Sequence, residues 1–252
     1  MKWIGWWGAW VLWVPGICPA GVVPWAGGET MHFEVHWGMV VAAEAVVAVT
    51  PDAEGWRAEM ELKSRGLVET LCPIRSRWVS RFSPGAERSY GLEADRKEGG
   101  REKRNRLVLD ADLRRGVFTN LLEQKEKVFE LPDDNCQDIL SMFFAARAAD
   151  WTAERVREWD VGEEQRLKRV HIELVEDEVV AGPDGTDRAC LVLVVREMAD
   201  RKGHLPDKPL RMRIWVEKEG LRPLRAQLSF VYGTFRISRV DAPEAVAPAP
   251  RD

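Results

Sequence analysis

Period-two alternation is the feature that most constrains this chain. From Thr30 to Trp37, residues Phe33, Val35 and Trp37 share one face while His32, Glu34 and His36 share the other. Trp56, Ala58, Met60 and Leu62 alternate with Arg57, Glu59 and Glu61. Leu210, Met212, Ile214 and Val216 oppose Arg211, Arg213, Trp215 and Glu217, and Leu224, Ala226, Leu228 and Phe230 oppose Arg225, Gln227, Ser229 and Val231. Phe235 and Ile237 close the series against Arg236 and Ser238. Successive side chains on a strand point to opposite faces, so each run predicts an antiparallel strand with one oily and one wet side. Ala189 to Val195 is apolar on both faces, which predicts a central or covered strand.

Turn signals separate these runs at Pro51-Asp52, Ser83-Pro84-Gly85, Gly99-Gly100, Gly182-Pro183-Asp184-Gly185, Glu219-Gly220 and Tyr232-Gly233. Their spacing suits a meander of hairpins. Gly66 to Ile74 reads as a short helix or loop stopped by Pro73, and Cys136 to Asp150 as a true helix. Asp133, Asp134 and Asn135 offer it a cap and negative charge at its start. Ile139, Leu140, Met142, Phe143, Phe144 and Ala146 cover most of its circumference, so it should be buried nearly all round. The fold expected is mainly β: an antiparallel meander forming a curved sheet or up-and-down β-barrel, with one buried helix near 136–150.

The two ends read differently. Residues 1–20 begin with Lys2, continue as an apolar run from Trp3 to Val14, and present Cys18 and Ala20 at a signal-peptidase spacing. The run is shorter than the roughly 20 residues a spanning helix needs, and Pro15-Gly16 interrupts it. This predicts a signal peptide cleaved near Ala20 and a periplasmic or secreted protein. Pro15-Gly16-Ile17 before Cys18 makes a poor lipobox, which argues against a lipoprotein. No other stretch reaches membrane-spanning length. Residues 21–240 then form one β-rich domain, and 241–252, rich in Ala and Pro, a disordered tail.

The net charge of −4 and a pI near 5.8 leave no global basic footprint for nucleic acid. After cleavage Cys72, Cys136 and Cys190 remain, so at most one internal disulfide can form, and their spacing fits no zinc or thioredoxin motif. His32, Glu34 and His36 share a strand face, yet i and i+4 on a strand lie roughly 13 Å apart, too far for one ion. Cys136 at a helix start is a candidate low-pKa thiol, with a buried structural cysteine the simpler reading. Ser141 lies mid-helix without a nucleophile elbow. Arg147 needs to snorkel out or meet a carboxylate. Asp95 to Arg106 is a charge-rich hairpin tip. No catalytic constellation, metal or cofactor signature is visible, which favours a non-enzyme.

The helix sequence Gln137-Asp138-Ile139-Leu140-Ser141-Met142-Phe143-Phe144-Ala145-Ala146-Arg147 resembles the Asp-x-Leu-Ser-x-x-Tyr-x-x-Arg helix of the exported domain-of-unknown-function 3108 family of Gram-negative bacteria. Phe33-Glu34-Val35-His36-Trp37-Gly38 with Ala42-Ala43-Glu44-Ala45 resembles that family's opening strands, and Leu210 to Trp215 with Leu221-Arg222-Pro223-Leu224-Arg225 its late strand pair. Ala43 and Phe144 stand where the family has Gly and Tyr. The resemblance runs from about Thr30 to Val240 and implies an exported, mostly antiparallel β protein of unassigned function, with no catalytic residues.

Three function classes follow. A soluble periplasmic β protein that binds or shields a hydrophobic, lipid-like envelope molecule fits the one-sided strands, with Trp37, Phe143, Phe144 and Trp215 as candidate wall residues. A structural or protein-interaction module of the envelope is the alternative, because Phe143 and Phe144 fill space a ligand would need. An outer-membrane barrel is disfavoured by the buried helix and the lack of aromatic girdles. Oligomeric state has no signature in the chain.

Overall fold

The computed structural model describes residues 23–163, 166–199, 203, 211–230 and 233–241. The expected signal peptide over 1–20 lies outside them, as do the expected tail beyond Asp241, Cys18, His204 and Leu210. The first half runs β1 (Glu29–Trp37), β2 (Val40–Asp52), β3 (Gly55–Ser64), the short α1 (Gly66–Leu71), β4 (Ile74–Phe82), β5 (Ser89–Glu98), β6 (Arg101–Asp110), β7 (Arg115–Asn120) and β8 (Lys125–Glu130). The second runs β9 (Gln137–Asp138), α2 (Ile139–Ala148), β10 (Val156–Glu163), β11 (Arg166–Ala181), β12 (Asp187–Met198), β13 (Arg211–Glu217), β14 (Pro223–Phe230) and β15 (Gly233–Val240).

All strands belong to one 15-stranded sheet of order β8-β7-β6-β5-β4-β3-β2-β1-β15-β14-β13-β12-β11-β10-β9. Each half is a plain meander. The exceptions are two: β1 pairs antiparallel with β15, Phe33 opposite Arg239, and β9 pairs parallel with β10. The turn at Gly99-Gly100 shows why the hairpins form where they do. Both residues have positive φ (54° and 82°), the backbone a tight hairpin turn requires, and cross-strand pairs Arg104–Asp95 and Arg106–Glu93 (both 3.2 Å) line its wet face.

The sheet curls around α2 but does not close into a ladder. One core cluster joins Met31, Phe33, Val47, Val49, Ala58 and Phe82 to Leu140, Phe144 and Ala145 of the helix. A second joins Met142 to Trp151, Val161, Val170, Ile172, Leu193, Val195 and Val216. The helix thus serves as the common core of both meanders, each fully buried Val, Leu, Ile, Phe or Met side chain contributing roughly 1.5–3 kcal/mol. β12 is covered on both faces, as its sequence predicts. Leu193 and Val195 face α2, while Cys190 and Val192 pack with Val180, Trp215 and Leu224 on the far side.

α2 begins later than the sequence suggests. Its N-cap is Asp138 rather than Asp133–Asn135, because Asp138 accepts from the N–H groups of Leu140 (2.8 Å) and Ser141 (3.0 Å). Ser141 completes a capping box by accepting from the Asp138 N–H (2.9 Å).

Candidate functional site

The two halves of the sheet meet at a seam where β9 and β10 lie against β5 and β6 without pairing with β8. Polar groups latch it. The Ser89 N–H donates to the Cys136 carbonyl (3.0 Å), and Gln137 Nε2 donates to the carbonyls of Glu87 (2.6 Å) and Ala86 (3.2 Å). The Asp138 carboxylate sits at the centre, fully buried. One oxygen caps α2, and the other accepts from Ser80 (2.6 Å) and Ser89 (2.5 Å) hydroxyls. Burial pushes this carboxyl's pKa up, against the pull of its four donors. Gly162 lets β10 come close to β6: a Cβ there would stand 2.8 Å from Leu107.

Beside the latch the seam opens into a cleft of about 60 Å³. Trp78, Leu92, Leu107 and Ile139 form its apolar floor, with Arg96, Asn105 and Glu163 among its polar lining residues. Ile139 is 40% exposed here, the one large apolar side chain of α2 that the core leaves open to solvent.

A second polar centre lies deeper. Arg147, 3% exposed, pairs with Glu29 (2.7 Å) and donates through Nε to the Leu221 carbonyl (2.7 Å). Its guanidinium lies 5.1 Å from the Trp25 ring centre and 5.6 Å from that of Phe144. Burial pulls its pKa down and Glu29 opposes that shift. This is the carboxylate that Arg147 needed on sequence grounds, supplied from the first strand. Arg222 holds the other oxygen of Glu29.

The four candidate wall residues are not all brought together. Phe144 is fully buried and Phe143 half-buried, 5.1 Å apart in the first core cluster. Trp37 lies at the β1–β2 hairpin end, 49% exposed and stacked on Phe235. Trp215 sits on the face of β13 away from α2, donating to Glu178 (2.6 Å) under Arg213 and Arg225. Of the candidate wall residues, Phe143 and Phe144 lie together, and Trp37 and Trp215 lie elsewhere. The missed residues are Asp138 and Glu29. Locally Asp138 is no better a cap than Asp133, Asp134 or Asn135, and nothing local marks Glu29.

His36 contacts Glu34 (3.2 Å), and among the described residues no group of three metal-ligating side chains converges. No described helix is long and apolar enough to cross a membrane. All three described cysteines are free. Cys136 is not activated by the helix: it precedes the cap, and burial with Asp133 and Asp160 pushes its thiol up to about 12. Native protein treated with iodoacetamide near neutral pH should therefore label at exposed Cys72, with Cys136 and Cys190 labelling after denaturation. Rapid native alkylation of Cys136, read by peptide mass spectrometry, would contradict this placement.

Comparison with known proteins gives the lineage. No curated protein sequence matches the chain. Among solved structures it is similar to a beta-barrel-like protein of domain of unknown function DUF1849 from Brucella abortus, with TM-score 0.55 and 8% identity, covering 84% of this chain and 98% of that one. That likeness concerns the fold. Residues 32–239 match the protein family of unknown function DUF3108. A match over that span, carrying the capped helix and both strand pairs described above, makes this chain a member of the DUF3108 family.

Proposed function

We propose that this protein is an exported, non-enzymatic module of the cell envelope that works by surface contacts with other envelope components. The observation that carries this reading is the packing of α2 among the described residues. Phe144 packs edge-on to Trp25 (4.9 Å between ring centres) and stacks on Phe82 (5.3 Å), so α2 occupies the space a carrier would keep for its cargo. The seam cleft, at about 60 Å³, compares with roughly 300–1,000 Å³ for ordinary ligand sites. Three polar groups of the interior are engaged in structure: Ser141 in the cap, Asp138 in the latch, and Arg147 in an ion pair with Glu29. Export is supported by the apolar leader of residues 1–20.

A second reading, binding of a hydrophobic envelope molecule, draws on the cleft itself. Its apolar floor takes a chain end, with a polar head toward Arg96 and Asn105. Native mass spectrometry of protein purified from envelopes without detergent separates the two. The expected result is the bare polypeptide mass, unchanged by organic extraction. A lipid-like mass that is lost on extraction, and absent from an Ile139→Arg variant, would replace the proposal with the second reading.

A further inference from the structure

The sheet has two ends, and they differ. β9 is two residues long and lies against β5, whereas no described strand pairs with the outer side of β8. Two backbone bonds fix which β8 groups face outward. The Leu131 N–H donates to the Arg114 carbonyl (2.9 Å), and the Leu121 N–H to the Arg104 carbonyl (2.8 Å). With Gly116 opposite Phe129 and Phe118 opposite Lys127, this phase makes Phe129, Lys127 and Lys125 the residues that exchange bonds with β7. The alternate residues Glu126, Val128 and Glu130 therefore aim their N–H and C=O groups away from the sheet.

The side chains of those three residues are exposed and share one face. Val128 (50% exposed) continues a row through Val117 to Val108 (43% exposed), one valine per strand across β8, β7 and β6. The row ends at the open edge, flanked by two carboxylates. A second copy of β8, laid antiparallel with Val128 on Val128, would set Glu126 against Glu130 twice. Like charges directly opposite are unfavourable, so the edge resists self-pairing. The complementary occupant carries basic residues where β8 carries Glu126 and Glu130.

We infer that β8 is a docking edge that takes an extended polypeptide segment as an added antiparallel strand, with Lys or Arg opposite Glu126 and Glu130 and an apolar residue opposite Val128. Backbone bonds to the three outward residues supply affinity, and the alternate side chains supply selection. The inference rests on the surface-contact reading above and names the partner's chemistry.

The probe is a dye-labelled acetylated peptide, Thr-Lys-Ile-Val-Glu-Lys-Thr, titrated into the purified protein and followed by fluorescence anisotropy. Its counterpart, Thr-Glu-Ile-Val-Lys-Glu-Thr, reverses the charges. The first peptide is expected to bind at least about tenfold tighter than the second. Val128→Pro removes an outward N–H that the sheet does not use and should weaken binding at least about tenfold. The double variant Glu126→Lys/Glu130→Lys, confined to exposed side chains, should invert the peptide preference and keeps the test independent of how Val128→Pro folds.

Equal binding of the two peptides, no binding of either, or a preference unchanged by the double charge reversal would overturn the docking edge. Failure of the peptide beside a bare polypeptide mass removes the edge assignment alone. A lipid-bearing mass removes the parent reading, whatever the peptide does.

Discussion

Asp138→Ala should lower stability by roughly 3–5 kcal/mol, combining the loss of a helix cap with buried donors left unpaired. The Leu140 and Ser141 N–H groups and the Ser80 and Ser89 hydroxyls all lose their acceptor in a fully buried site. For a chain of this size that is a fall in Tm of about 10 °C, read by circular dichroism. Asp138→Asn should cost less, because its carbonyl keeps the cap and its amide faces hydroxyls able to turn and accept. The pH dependence has a definite sign. Burial raises the folded pKa above the ordinary 3.8, so the carboxyl's own contribution is fullest below 3.8 and shrinks as pH rises through the folded value. Asp138→Asn, neutral at every pH, removes that slope. A loss under about 1 kcal/mol for Asp138→Ala would show that the seam does not depend on the latch.

Arg147→Ala should be as damaging, again roughly 3–5 kcal/mol, because it strands the buried carboxylate of Glu29. Arg222, more than half exposed, holds the other oxygen and cannot replace a partner inside the core. The alanine also uncovers the faces of Trp25 and Phe144 on which the guanidinium lies. The double variant Glu29→Gln/Arg147→Met removes both charges and refills the volume, so it should recover at least half of the loss in urea unfolding. A double variant no more stable than Arg147→Ala would assign the effect to packing rather than to the stranded charge.

These two centres mark the boundary of what the chain's sequence discloses. β1, β3, β13, β14 and β15 were legible because apolar and polar residues alternate along them, as in Phe33-Glu34-Val35 or Met212-Arg213-Ile214, and β12 because its run is apolar on both faces. The buried helix was legible because its apolar residues cover too much of its circumference for a surface helix. Its first residue was not: Asp133, Asp134, Asn135 and Asp138 are all good caps locally, and the choice is made by Ser80 and Ser89 from distant strands. Trp37 follows the parity of Phe33, but the register shifts between Val35 and His36 and the strand ends in an open hairpin. Trp215 lies on the side its alternation with Ile214 assigns, away from α2, so it could not share a wall with Phe144. Parity names a face; it does not say what covers that face. The outward phase of β8 is likewise set by its neighbours' backbone bonds, which no side-chain pattern encodes.

The pairing of β1 with β15 has a kinetic consequence. Every other antiparallel joint links strands adjacent in sequence, so each meander zips through short-range contacts, the quick kind. The joint between Phe33 and Arg239 must instead gather the whole intervening chain, at a closure entropy of about 5 kcal/mol. It can form only after β15 has been delivered, which makes this joint the slow step. Reconnecting β15 to β1 and opening the chain at exposed Asp134-Asn135 would turn the sheet order into the sequence order, from β9 through β15 and β1 to β8. The same contacts would then be reached by a path with no long-range joint between neighbouring antiparallel strands.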